Sequence, residues 1–333
     1  MTEQQQPIAV LGAGSWGSTI AKMLAANGLA PRLWCVDDAE AARLTHDRHP
    51  PGVPDLRLPD HIVITSSLET ALRGAAGAVF VAPAQATAAL CERIQSLGLT
   101  PPLAVIASKG IDLQSLRPLS SVVAERCPSA AVAVISGPCI AREVAAGVPT
   151  SVVVACEDKD VSARVQQWFN SKTFRVYRQK DVLGVEYGGA LKNVIAIAAG
   201  VCDGLGFGAN SKSALLTRGL AEMTRFSVAF GAEETTISGL AGLGDLCVTC
   251  FSPHSRNRRF GEALAQGGKA ADIMVAIGEV VEGAATAEAV VRIAREKNIE
   301  TPIAFTVTKI VIGEWTPREA VAQLMSRELK DEF

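Results

Sequence analysis

The sequence predicts an α/β domain with a parallel sheet, followed by a mostly helical domain. Short apolar runs alternate with helical stretches up to about residue 184 and then stop. Long alanine- and leucine-rich patterns broken by glycine clusters fill the rest. The chain has 333 residues, 48% hydrophobic and 20% charged, enough for two cored domains. We place the boundary at 1–185 and 186–333.

IAVL (8–11) reads as a buried strand, and 15–27 as a helix closing at Asn27-Gly28. Between them stands Gly12-Ala-Gly14-Ser-Trp-Gly17, a GxGxxG in the strand-to-helix setting the motif requires. Gly12 permits the tight turn. Gly14 lets the backbone approach a pyrophosphate, and Gly17 lets helix and sheet pack closely. The helix start then offers free N–H groups and the positive end of the helix dipole.

Arg32–Val36 is the second strand, and Asp37 or Asp38 follows it, placed to accept from a ribose 2′-OH. Arg32 and Arg43 lie close enough in sequence to meet a 2′-phosphate, so NAD and NADP both stay open. Further strands are expected at 62–65, 78–82, 103–107, 131–135, 151–155 and 174–177. Two strand ends carry candidate anion ligands: Lys109 in Ser-Lys-Gly, and Gly137 in Ser-Gly-Pro-Cys139.

Helices are expected at 186–201, 212–230, 257–266, 284–297 and 317–325. Lys192 lies in the first, among Leu191, Val194, Ile195 and Ile197. A lysine in so apolar a helix must snorkel or be held by polar partners, and desolvation pushes it toward general acid–base use. Asp245, after the glycine-rich GLAGLG, is a candidate partner or a helix N-cap. Ser255 is a good N-cap, which puts Arg256, Arg258 and Arg259 in a first turn where the dipole disfavours cations. An anion bound there, with Asn257 as a further donor, resolves the conflict.

The formal net charge of -2 argues against nucleic-acid binding. No run of eighteen apolar residues is evident, and the polar N-terminus MTEQQQP lacks the features of a signal peptide. The eight cysteines are scattered, mostly in apolar stretches, as in a reducing compartment. Cys247, Cys250 and His254 form only part of a zinc set, so no metal is expected.

Taken together, GAGSWG (12–17), SKG (108–110), SGP (136–138), EYGGALKN (186–193), GLAGLGDL (239–246), SRNRRFG (255–261) and VVEG (280–283) resemble the bacterial-type glycerol-3-phosphate dehydrogenases along nearly the whole chain. The resemblance implies a Rossmann-like N-terminal domain, a helical C-terminal domain and a site in the cleft between them. It implies interconversion of dihydroxyacetone phosphate and sn-glycerol 3-phosphate with NAD or NADP, feeding phospholipid synthesis. A cytoplasmic homodimer with no integral membrane segment is the corresponding expectation.

Carried over by position, Lys192 resembles the proton donor and acceptor, with Asp245 and Lys109 beside it in the catalytic set. Lys109, Gly137, Cys139, Lys192, Asp245, Ser255, Arg256 and Asn257 resemble substrate-site residues. Gly12, Gly14, Ser15, Trp16, Gly17, Lys109, Ala141, Arg256, Val280 and Glu282 resemble cofactor contacts. Thr249 matches a threonine near the reacting centre. Two departures stand out. Where the family commonly has LWGH or LWGR, this chain has Leu33-Trp34-Cys35-Val36, without the basic adenosine contact. Where the family often has Ser or Thr after SGP, it has Cys139. Alternative readings are another two-domain hydroxyacid dehydrogenase, of ketopantoate or 6-phosphogluconate type, and a non-catalytic nicotinamide-binding sensor.

Overall fold

The computed structural model describes residues 6–332 apart from Ser129 and Lys330. Met1–Gln5, most of the polar lead-in noted above, lie outside the described residues. Two compact units divide the chain, Met1–Glu186 and Tyr187–Phe333.

The first unit is built on one eight-stranded sheet. Its strands are β1 (Pro7–Leu11), β2 (Ala30–Trp34), β3 (Val63–Thr65), β4 (Gly77–Phe80), β5 (Leu103–Ile106), β6 (Ala131–Ser136), β7 (Thr150–Ala155) and β8 (Phe174–Gln179). They lie in the order β3-β2-β1-β4-β5-β6-β7-β8. The chain therefore winds outward from β1 in one direction and resumes on its other side at β4, and such a reversal is where open α/β sheets bind ligands. The connecting helices are α1 (Ser15–Ala26), α2 (Asp38–Asp47), α3 (Leu68–Leu72), α4 (Thr87–Ser96), α5 (Leu119–Arg126), α6 (Ala141–Ala145) and α7 (Lys159–Phe169). β1, β4 and β5 are buried throughout, as expected of strands covered on both faces.

The sheet is not parallel throughout, as the sequence pattern had suggested. β6 and β7 pair antiparallel, with Ile135 opposite Val154. The cause lies in the connection. Helix α6 has five residues, advancing the chain about 8 Å, whereas a six-residue strand needs about 20 Å of return. The chain turns back along β6 instead of crossing over.

Helix α8 (Val182–Gly204) is longer than the expected 186–201. Despite the absence of an obvious apolar run in the sequence, it reaches the length and mean hydropathy (1.3) of a membrane-crossing helix. Its most apolar window is 83% buried inside the protein. Within the first unit, Glu186 on its opening turns caps another helix. The carboxylate accepts the Ser120 backbone N–H at 2.9 Å and the Ser120 hydroxyl. Helix α5 has only Pro118 at its N-cap, without a side-chain cap, so Glu186 supplies the missing acceptor.

The second unit is helical: α9 (Ala209–Val228), α10 (Glu234–Ile237), α11 (Asp245–Phe251), α12 (Arg256–Ala265), α13 (Ala270–Ile277), α14 (Glu282–Lys297), α15 (Pro302–Val311) and α16 (Pro317–Met325). The sequence reading missed α10, α11, α13 and α15, which are short or flanked by weak punctuation. Tyr187, Phe226 and Phe230 pack as an aromatic cluster with ring centroids 5.2–5.4 Å apart. Glu222 on α9 caps α15, accepting the N–H groups of Ile303 and Ala304 at 2.8 and 2.9 Å.

Helices α8 and α12 touch backbone to backbone. A Cβ on Gly200 would overlap the carbonyl oxygen of Arg258, and one on Gly261 would overlap that of Ile197. A Gly261→Ala change should therefore reverse the usual helix preference for alanine. It is expected to destabilise the chain by about 1–3 kcal/mol through overpacking. Denaturant unfolding checks this, and a variant as stable as the parent would contradict the close contact.

Burial raises the Glu186 carboxyl from 4.5 to about 7, partly offset by its bonds to Ser120. Between these values the folded chain keeps a proton that the unfolded chain has released. The stabilising contribution is complete below pH 4.5 and is lost as pH rises through about 7. Glu222, also raised to about 7 by burial, adds a contribution of the same sign. A Glu186→Gln variant keeps the size and bonding capacity without the titration. Its stability relative to the parent should rise by about 3 kcal/mol between pH 4 and pH 8 in unfolding titrations; a flat difference would refute the shift.

Candidate active site

In the first unit the glycine turn has the shape its sequence demands. Gly12 has φ +129, and a Cβ there would sit 2.8 Å from the Ala82 nitrogen, so no side chain fits. Gly14 is the N-cap of α1, without a side-chain cap, and a Cβ built on it meets nothing within 4 Å. No acidic residue lies in the first turn of α1. Uncapped N–H groups, open space above Gly14 and the helix dipole fit a dinucleotide pyrophosphate.

The neighbouring candidates gather around this turn. Ser15 donates to the Pro51 carbonyl at 3.2 Å. Trp16 leans on Phe174 with ring centroids 6.5 Å apart. Ala141, at the start of α6, accepts from the Thr19 hydroxyl of α1 at 3.4 Å. Gly12 N–H donates to the Trp34 carbonyl, tying the turn to the end of β2.

Also in this unit, Lys109 follows β5 and Gly137 follows β6. The Lys109 ammonium donates to the Gly137 carbonyl at 3.1 Å and lies 3.4 Å from the Cys139 sulfur. Gly137 has φ +141, and a Cβ there would press on Val152 at 2.9 Å. The backbone turn therefore brings Lys109 and Cys139 together. The Ser136 hydroxyl just before it is buried with no hydrogen-bond partner.

The second unit holds the other cluster. Lys192 on α8 and Asp245 at the start of α11 form an ion pair of 3.0 Å, with side chains only 8% and 2% exposed. The ammonium also donates to the Thr249 hydroxyl at 2.7 Å, and that hydroxyl donates to Asp245 at 3.3 Å. Asp245 and Thr249 are four apart on α11 and so share a face. A buried ammonium is thus held by a carboxylate and a hydroxyl, each fixed by the other.

Helix α12 begins as the sequence suggests, with the Ser255 side chain accepting from the Arg258 N–H at 3.3 Å. The arginine cluster then divides. Arg256 is 40% exposed and points to Glu279 at 3.4 Å. Arg258 turns inward to Asp203 at 2.5 Å, a carboxylate shared with Lys212 at 2.8 Å. Asn257 is buried. Its amide donates to the Asn193 side chain at 2.9 Å, and its oxygen accepts the Gly283 N–H at 3.0 Å. This joins α8, α12 and the start of α14, where Glu282 lies; Val280, just before, is 46% exposed.

Sequence reading overlooked Asp203 and Lys212. The signal was present as a charge pair across the glycine-rich break 203–210, but neither residue sits in a motif. The Cys250 thiol is pushed up to about 12, chiefly by burial. No group of three or more potential ligands for a metal ion occurs among the described residues.

Comparison with known proteins bears on both units. Residues 7–162 match the family described as NAD-dependent glycerol-3-phosphate dehydrogenase N-terminus, and residues 181–322 its C-terminus. A curated relative from Halorhodospira halophila, named glycerol-3-phosphate dehydrogenase [NAD(P)+], is 44% identical and covers 98% of each chain. The crystal structure of glycerol-3-phosphate dehydrogenase from Coxiella burnetii superposes with a TM-score of 0.94 at 37% identity, covering 97% of this chain and 99% of that one. A ketopantoate reductase from Ralstonia eutropha, at 14% identity and TM-score 0.60 over 95% and 99% of the two chains, shares the fold alone. With both halves matched and the identity sustained from end to end, the chain belongs to the NAD-dependent glycerol-3-phosphate dehydrogenase family.

Proposed function

We propose that the chain interconverts dihydroxyacetone phosphate and sn-glycerol 3-phosphate with NAD(H) or NADP(H), with Lys192 as proton donor and acceptor. The observation that carries this reading is the buried Lys192–Asp245–Thr249 cluster. Residues 1–185 serve as the dinucleotide-binding domain and 186–333 as the substrate-binding domain.

When bound, the reduced nicotinamide supplies the hydride. Gly12, Gly14, Ser15, Trp16 and Gly17 hold the dinucleotide, with Lys109, Ala141, Arg256, Val280 and Glu282 as further contacts. Arg256, Ser255 and Asn257 grip the substrate phosphate at the start of α12, where free N–H groups and a guanidinium favour an anion. Gly137, Cys139 and Lys109 border the substrate, and Lys109 offsets its charge.

The Lys192 ammonium hydrogen-bonds the carbonyl oxygen and gives it a proton as the carbon accepts hydride. The product is an alcohol and a neutral amine. In the reverse direction the amine takes the alcohol proton. Asp245 keeps the ammonium oriented and compensates its charge, and Thr249 fixes the third direction of the amine. The phosphate grip fixes the carbonyl, so binding energy remote from the reacting carbon serves orientation. In the cell we place the protein in the cytoplasm as a homodimer without an integral membrane segment, supplying glycerol 3-phosphate for phospholipid synthesis. These last assignments rest on the family resemblance.

Replacing Lys192 by Ala should lower kcat by about 10²–10⁴-fold while nicotinamide affinity, followed by calorimetry, changes little. Normal turnover in that variant would remove Lys192 from the mechanism. Replacing Arg256 by Ala should weaken kcat/KM for dihydroxyacetone phosphate by roughly 10–100-fold. Unphosphorylated dihydroxyacetone should be affected far less, and an equal loss for both would show that Arg256 does not hold the phosphate.

A further inference from the structure

We propose that Glu279, on the turn between α13 and α14, is the counter-ion that a substrate phosphate must displace from Arg256, and that it thereby sets how tightly the site holds phosphorylated ligands. The inference rests on the phosphate-binding role proposed above for Arg256.

The fold brings Glu279 to this place between two fixed ends. Helix α13 closes at Gly278, a left-handed C-cap with φ +68, whose N–H donates to the Met274 and Val275 carbonyls at 3.2 and 3.1 Å. On the other side, α14 is seated on its neighbours at Gly283. A Cβ there would stand 2.6 Å from the Asn193 carbonyl oxygen, and the Gly283 N–H is held by the Asn257 side chain. Glu279 lies four positions before Gly283, and Arg256 directly precedes Asn257. The short link therefore presents Glu279 to the start of α12, with its carboxylate 3.4 Å from the Arg256 guanidinium.

The neighbouring polar side chains are engaged more firmly. Arg258 is bound through Nε to Asp203 at 2.5 Å and lies 3.8 Å from Glu262. Lys212 shares the same Asp203. The Asn257 amide donates to Asn193 and its oxygen accepts from Gly283. Arg259 is exposed and adds a background field. Arg256 and Glu279 are 40% and 36% exposed, and 3.4 Å is longer than the ~2.7–2.9 Å of a tight charge-assisted bond. A loose, part-exposed ion pair of this kind is weak and exchangeable. A phosphate monoester can take the guanidinium through two parallel N–H···O bonds, which drives the exchange.

The exchange has a consequence for affinity. A bound phosphate replaces the Glu279 carboxylate at Arg256 and then has that carboxylate as a neighbour of like charge. Both effects weaken binding of substrate and product alike. They act at the phosphate, not at the reacting carbon, so they raise KM without changing the hydride step.

The test is calorimetric titration of the full chain with inorganic phosphate, beside steady-state kinetics with dihydroxyacetone phosphate and with unphosphorylated dihydroxyacetone. Glu279→Gln is expected to tighten phosphate and to lower KM for dihydroxyacetone phosphate, each by about 3–10-fold, with kcat moving much less. Unphosphorylated dihydroxyacetone should show no such gain. Glu279→Asp keeps the charge on a stem one methylene shorter and should fall between parent and Gln variant. In an Arg256→Ala background the effect of Glu279→Gln should vanish, since the pair is then already broken. Thermal unfolding of each variant confirms that the fold is kept. Unchanged phosphate affinity in Glu279→Gln overturns the inference. A gain that persists without Arg256, or that extends equally to dihydroxyacetone, also overturns it, because Glu279 then acts through something other than this pair. If Arg256→Ala alone leaves phosphate affinity at the parent value, the phosphate grip itself is wrong, and the role of Glu279 falls with it.

Discussion

A lysine ammonium buried in the middle of an apolar helix cannot be left alone. Removing one charge from water costs several kcal/mol unless a partner of opposite sign and further hydrogen bonds replace the hydration shell. Much of the second unit can be understood as the answer to that demand at Lys192. Asp245 must be buried beside it, so α11 must start there. Thr249 must share Asp245's face to take a second donor, so α11 must run at least one full turn. Gly188 on α8 lets the segment leading into Asp245 approach closely: a Cβ there would stand 2.7 Å from the Ala241 carbonyl oxygen.

Helix α12 is tied to the same rod by different means. Its backbone rests directly on α8 through Gly200 and Gly261, and its Arg258 is anchored to Asp203 near the end of α8. A third tie, Asn257 to Asn193, lies next to Lys192 in the chain. Lys192 and the start of α12, the amine and the phosphate grip of the proposed mechanism, are therefore referenced to one helix rather than to each other through loops. That arrangement suits a reaction in which a carbonyl must be presented to a fixed amine while the rest of the substrate is held at a distance.

The strands were legible because buried parallel strands are continuous apolar runs, and GxGxxG marks the first turn without ambiguity. The direction of β7 was not legible, since it depends on the reach of a five-residue helix rather than on composition. Lys192 was legible because a charge among Leu191, Val194 and Ile195 is anomalous locally. Its partner Asp245 had a motif around it, whereas the separate Asp203–Lys212 pair draws its meaning from tertiary pairing alone. The arginines of 256–259 illustrate both sides. Their conflict with the helix dipole was visible in sequence. That Arg258 resolves it inward, against Asp203, and Arg256 outward, toward Glu279, needed three dimensions.

The Asn257 contacts also carry a direction. The Gly283 N–H can only donate, so the Asn257 oxygen must face it and the amide nitrogen must face Asn193. Asn193 is then obliged to offer its own oxygen, and its nitrogen turns back to the Gly189 carbonyl at 3.4 Å. The polarity runs one way, from α14 through α12 into the backbone of α8. An aspartate at position 257 would match the asparagine in size and still accept from Gly283, yet it would set two oxygens face to face. Here the replacement that looks mildest on paper is the one that breaks the circuit.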